Sequence, residues 1–174
     1  TLDRFNPAGI GDAAVDEALN LLGSRPGPSA ELPIVFGYDA SRGALSSLIG
    51  AIDAEEIQRG RSFMAGMVGK RVASEAITLT DDPFIPGGAG SSATDGEGVP
   101  HREWVLVDRG ILTTYLHDSY TAGKDGVANT AHSTRGGRSA TNVIPTLGSR
   151  TQAELIAEIE EGIFVRSAHI AVND

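Results

Sequence analysis

Apolar residues recur at helical spacing near the start of the chain. Val15, Ala18, Leu19 and Leu22 stand at i, i+3, i+4 and i+7, which places a helix over about 12–22, stopped by Gly23. The stretch "GSRPGPSAELP" then reads as a linker, and the short run "IVF" as a buried strand. Helical spacing returns with Leu45, Leu48, Ile49 and Ile52, behind Asp39 or Ser41 as candidate caps. A shorter helix fits 57–67, where glycines weaken the pattern.

From Val72 the period shifts toward two. "VASEAITLT" has the β-branched content of a strand, and Asp82-Pro83 ends it. "EWVLVDRGILTTYLHD" predicts a hairpin, with runs 104–107 and 111–116 joined by a three-residue turn, Asp108-Arg109-Gly110. A further strand is expected in "TNVIPTL", where Pro145 marks an edge or bulge. Thr151 and Glu154 have capping-box spacing for a last helix carrying Leu155, Ile156 and Ile159, and "IFVRSA" closes as a strand. Helices and strands come in unequal clusters without βαβ alternation. The expected class is therefore α+β, a mainly antiparallel sheet or partial barrel with packed helices. Residues 1–70 are expected to be mostly helical and 71–174 β-rich, together forming one compact unit.

Composition narrows the functions. The 174 residues carry a formal charge of −9, which argues against nucleic acid as the main partner, since phosphate binding needs clustered Lys and Arg. There is no cysteine, so disulfides, thiolate metal sites and cysteine nucleophiles are excluded, and a reducing cytoplasm fits. No apolar run has the length of a membrane span, and no signal peptide is visible. The first residue is Thr1 rather than Met, as expected of a fragment.

Candidate chemistry gathers in "TDDPFIPGGAGSSATDGEGVPHR", residues 80–102. Asp81, Asp82, Asp95 and Glu97 offer oxygen ligands suited to a hard cation, although EF-hand spacing is absent. The bland alternative has Asp82-Pro83 opening a turn and the other acids accepting backbone N–H bonds. Gly88, Gly90 and Ala93 satisfy G-x-G-x-x-[GA], but prolines stand on the strand side and no helix follows, so the context for a dinucleotide is missing. The histidines, His101, His117, His132 and His169, lie 16, 15 and 37 positions apart, without the close pair that a zinc helix supplies. No G-x-S-x-G elbow occurs. His117 and Asp118, adjacent after the hairpin, are expected to point to opposite faces. In "NTAHSTRGGRSATN", Arg135 and Arg138 flank two glycines and are candidates to bind a carboxylate or a peptide backbone, the alternative being a mobile surface loop.

Several ordered stretches resemble the TldD/TldE (PmbA) family. "TLTDDPFIPGGAGSSATDGEGVP" is similar to its central signature: a strand ending in Asp-Asp, a Gly-Ser loop and an Asp-x-Glu-Gly-Val/Thr element. "VLVDRGILTTYLHDSYTAGKDG" resembles the next block, a hairpin followed by a short helix, and "SATNVIPTLGSRTQAELIAEIEEGIFV" the third. "GRSFMAGMVGKRV" is similar to the TldE version of the segment before the Asp-Asp strand. The likeness runs from about Gly11 onward. It implies peptide processing by a heterodimeric metalloprotease whose TldD-type subunit carries a His-Glu-x-x-x-His zinc helix ahead of the Asp-Asp strand. Here that region is "DASRGALSSLIGAIDAEEIQRG", with no histidine. The resemblance is thus to the TldE type, and it implies no cofactor in this chain, zinc on a TldD-type partner, and pairing with that partner or as a homodimer. The chain departs from the family in "NTAHSTRGGRS", where a Thr-Gly-Asn-Ala-like run is usual, and in "TLGS" for a Pro-Gly turn. By the same resemblance, the family's N-terminal domain and C-terminal tail lie outside these residues. Two other functions fit the residues: a stand-alone metal-dependent hydrolase using the Asp81/Asp82/Asp95/Glu97 loop, and a scaffolding protein.

Overall fold

A computed structural model describes residues 6–27 and 29–168. The chain divides into two compact units, Thr1–Leu32 and Pro33–Asp174.

The first unit is built on helix α1, Pro7–Asn20. It begins earlier than its apolar spacing indicates, because Asn6 caps it by accepting from Gly9 N–H and Pro7 stands where a missing N–H costs nothing. Leu21 and Leu22 belong to the turn that follows rather than to the helix. No residue of α1 is buried.

The second unit opens with strand β1, Ile34–Phe36, and helix α2, Tyr38–Ala51. The N-cap of α2 is Gly37, with Asp39 in the first turn, so neither predicted side-chain cap is used. Helix α3 spans only Ala54–Gln58, capped by Asp53, which accepts from Glu55 N–H. The longer helix expected over 57–67 fails at Gly60 and Gly66, both at positive φ. The strand expected from Val72 shrinks to β2, Leu79–Asp81. The residues before it wrap the tip of the neighbouring hairpin instead: Val72 N–H donates to Gly110 O, and Gly110 N–H donates to Ile77 O.

That hairpin comprises β3, Trp104–Asp108, and β4, Ile111–Leu112. Its turn has two residues, not three. Arg109 (φ 44°) and Gly110 (φ 79°) are both left-handed, the geometry that matches strand twist in tight hairpins. A side chain at 110 would also stand 2.3 Å from Ala73 O, so glycine is required there twice over. Helix α4, Ser119–Asp125, follows, then a small hairpin of β5, Ser133–Thr134, and β6, Gly137–Arg138. Strand β7, Val143–Pro145, helix α5, Gln152–Ala157, and strand β8, Ile163–Val165, complete the unit. The Thr151/Glu154 capping box of α5 is present in both directions.

The main sheet is antiparallel and open, in the order β4-β3-β2-β7. Strand β1 pairs with β8 in parallel, Ile34 opposite Ile163 and Phe36 opposite Val165. The architecture is α+β with mainly antiparallel pairing, as expected; among the described residues the sheet does not close into a barrel. Contrary to expectation, β1 is not buried: Ile34 and Phe36 are exposed and Val35 half-buried. The core lies beneath the hairpin, where Ile52, Met64, Leu79, Leu106, Val107, Leu112 and Leu116 pack together, with Leu45, Leu48 and Ile49 of α2 along its margin. Leu79, Leu106 and Leu112 are fully buried, and truncating any one to alanine costs about 2–5 kcal/mol. No helix of the described residues is long and apolar enough to cross a membrane.

Candidate functional site

Strand β2 delivers Asp81 to the inside of the unit. Its side chain is 1% exposed and accepts four hydrogen bonds. Oδ1 takes the Thr141 N–H, the Thr141 hydroxyl and the Asn142 N–H, each at 2.8 Å. Oδ2 meets His132 Nε2 at 3.1 Å. Burial favours the neutral acid, but the bonds from His132 and Thr141 outweigh it and hold the Asp81 carboxyl below its ordinary value. On the other side of the imidazole, His132 Nδ1 stands 2.8 Å from the Thr130 hydroxyl, which also accepts from His117 N–H at 2.6 Å. Between Thr130 and His132, Ala131 is held at φ 59°, a strained setting for a residue with a Cβ. Asn129 secures it by accepting Ala131 N–H at 2.7 Å.

The other carboxylates of 80–102 do not join Asp81. Asp82 accepts Phe84 N–H in a turn opened by Asp82-Pro83. Asp95 accepts Glu97, Val99 and Ser133 N–H groups. Glu97 accepts Ser119 N–H. Each acid is thus tied to backbone, and among the described residues no group of three or more His, Asp or Glu side chains is placed to hold a metal ion. The residues do not fit zinc either, since Asp81 and His132 are already committed to each other and to Thr141 and Thr130. The glycines of this loop serve close packing. Gly90 N–H donates to Asn142 Oδ1, and a Cβ at 90 would stand 2.1 Å from Thr141 O.

The histidines part company. His101 is half-buried at the end of the loop, and His169 lies outside the described residues. His117 is buried beside Tyr115, and its Nδ1 has no protein partner. Burial lowers its pKa, only partly offset by Asp125 and Asp118. Its neighbour Asp118 serves elsewhere, as N-cap of α4 with Thr121.

Arg135 and Arg138 also separate. Arg135 is exposed at the tip of the β5–β6 hairpin. Arg138, at its end, has a side chain only 6% exposed. Its Nε contacts Asp53 Oδ1 at 2.6 Å, Nη1 contacts Asp118 Oδ2 at 2.6 Å, and Nη2 contacts Glu55 Oε2 at 2.5 Å. Burial opposes the charge, yet Asp53, Asp118 and Glu55 raise the Arg138 pKa above its ordinary value. Reciprocally, the Arg138 bond lowers Glu55, and bonds from Thr121 and Arg138 overcome burial to lower Asp118. None of these three partners was signalled as such in the sequence, although Asp53 ahead of "AEE" has the form of a helix cap.

Arg138 borders a groove of about 710 Å³. One wall is α2, with Tyr38, Leu45 and Ile49; the other is the segment through β7, with Val143, Pro145 and Leu147. The lining is mainly apolar, and β7 is the edge strand of the main sheet. A lining of this kind suits an apolar group better than a charged one. No periodicity could reveal it, because its walls are about a hundred residues apart in the chain.

Comparison with known proteins shows the family. Residues 29–174 match the PmbA/TldA metallopeptidase C-terminal domain. A metalloprotease of Methanothermobacter thermautotrophicus is 33% identical over 173 residues, 96% of this chain and 38% of that protein. Metalloprotease PmbA of Escherichia coli O157:H7 is 28% identical over 75% of this chain and 29% of its own length. Among solved structures, a Thermotoga maritima protein proposed as a modulator of a DNA gyrase has a TM-score of 0.86 at 33% identity, covering 96% of this chain and 39% of that one. TldE from Thermococcus kodakarensis has a TM-score of 0.78 at 32% identity, covering 94% of this chain and 39% of its own. The chain spans less than two fifths of the length of each of these relatives. With its distinctive Asp-Asp strand, Gly-Ser loop and hairpin in one antiparallel framework, this chain belongs to the PmbA/TldD family of metallopeptidases, matching its C-terminal domain.

Proposed function

We propose that this chain is part of the subunit without zinc in a TldD/TldE-type metalloprotease, and that its groove forms one wall of the space holding an unfolded peptide. One observation carries the reading. Helix α2 precedes the Asp-Asp strand, where the family resemblance puts the zinc helix, yet it carries no histidine and turns Leu45 and Ile49 toward the groove. Its role is then to shape and exclude water, while a partner subunit supplies the zinc that activates the attacking water. The partner is a TldD-type subunit, with a homodimer as the alternative assembly, and the cysteine-free composition suits the cytoplasm. Arg135, exposed at its hairpin tip, is the cation available to an acidic or carboxylate group of the peptide.

Co-expression of the full-length protein with a TldD-type subunit tests this. The pair is expected to co-purify, to cleave unfolded peptides, and to lose activity to a chelator and to substitution of the partner's zinc ligands. Peptide cleavage by this protein alone, with stoichiometric bound metal, would instead establish a stand-alone hydrolase. Arg135→Ala should weaken the pair's binding of acidic peptides while leaving folding intact, and unchanged binding removes Arg135 from the surface.

A further inference from the structure

We propose that Arg138 is a positioning residue, which sets the groove wall without meeting the peptide itself. The inference rests on the groove being the peptide-holding surface. The guanidinium ends on three carboxylates drawn from separate parts of the unit: Asp53 and Glu55 at the start of α3, and Asp118 at the start of α4. Two of them are helix caps that also accept backbone N–H bonds, Asp53 from Glu55 and Asp118 from Thr121. The guanidinium is thereby fastened to the first turns of both α3 and α4.

From this anchor the chain runs directly into the groove. Ser139 N–H donates to His132 O, and Ser139 and Ala140 line the groove. Thr141 and Asn142 then dock on Asp81, and β7 joins β2. The wall is thus fastened at Arg138 and again at Asp81, with Ser139 and Ala140 spanning the interval. Arg138 stands at the groove's margin, but its side chain is 6% exposed and all three of its nitrogens are turned onto protein carboxylates. Lysine cannot reproduce the fork, because it carries one ammonium where three directed nitrogens are used.

Two measurements on the full-length protein decide the matter. The first is amide hydrogen exchange without peptide. Arg138→Lys should accelerate exchange at 139–142 by about tenfold, the scale of one coupled interaction. Unchanged exchange there overturns the inference. The second uses the assembled pair and three peptides sharing one apolar core, with acidic, neutral or basic ends. Arg138→Lys should raise KM for all three by a similar factor of about ten and leave kcat unchanged. The double variant Arg138→Lys/Asp118→Asn should be no weaker than the worse single variant, because both open the same fastening. A loss confined to the acidic peptide would make Arg138 a direct contact and overturn the inference. Should Ala140→Trp, made with Arg138 intact to fill the groove, leave the pair's KM unchanged, the peptide-holding reading fails, and the exchange result still decides whether Arg138 sets the wall.

Discussion

In the loop at 80–102, four carboxylates lie close in sequence, and each accepts hydrogen bonds from backbone N–H groups. Around Arg138, Asp53 and Glu55 from the start of α3 and Asp118 from the start of α4, all distant from it in the chain, point at one guanidinium. The dense cluster looks like a cation site and is not arranged as one; the dispersed set cannot be seen in the sequence and does surround a cation. Proximity along a chain says little about where charge converges. Asp82 and Asp95 satisfy N–H groups of the loop itself, while Asp81 and Glu97 satisfy those of segments packed against it.

The sharpest way to break this comparison is to remove the cation. Arg138→Met leaves half-buried Asp53 and buried Asp118 without their cation, while Glu55 keeps Arg59, and a loss of about 2–4 kcal/mol in denaturant unfolding is expected. A loss below about 1 kcal/mol would mean the cluster is solvated and the contrast with the loop is false. Next comes Asp81→Asn, which puts an amide where the donors of Thr141, Asn142 and His132 converge, for an expected loss of about 2–3 kcal/mol by the same measurement. By contrast Asp82→Asn, half-buried in a turn that asparagine also supports, should change stability by less than about 0.5 kcal/mol.

The pH dependence of Tm sharpens the comparison from another side. Asp81 and Asp118 have folded pKa values below their ordinary 3.8, so their contribution is complete above 3.8 and is lost as pH falls through the folded values. His117, ordinarily 6.5, is also lowered, so folding disfavours its protonated form and stability begins to fall as pH drops below 6.5. Tm should therefore be flat above 6.5, decline gently below it and fall steeply in strong acid. His117→Gln should remove the gentle limb alone, and its survival in that variant would assign it to another group.

Elements with a local cause were legible from the sequence. The Thr151/Glu154 box announces α5, Leu45, Leu48 and Ile49 announce α2, and Asp82-Pro83 ends its strand where expected. Elements set by tertiary contacts were not. Val72 to Thr78 has strand composition, but Gly110 claims its hydrogen bonds at the hairpin tip. The β5–β6 hairpin has too few apolar residues to show a period, and it forms where Asp95 accepts Ser133 N–H and Arg138 finds its carboxylates. For the candidate site the divide is the same. Asp81 and Arg138 were singled out by residue type, while His132, the partner of one, and Asp53, Glu55 and Asp118, the partners of the other, are assigned only by the fold.

The parallel pairing of β1 with β8 carries a consequence for how the second unit comes into being. Ile34 and Ile163 are joined across most of the unit, so this contact closes a very long loop. Such contacts form last, after the loop-closure entropy of everything between has been met by nearer contacts. On the ribosome the hairpin and its core can assemble while β1 waits, its backbone unpaired, for a mate that has not yet been synthesised. A chain cut just before Ile163 would keep the core and lose the seam, leaving β1 as an open edge ready to pair with the wrong strand.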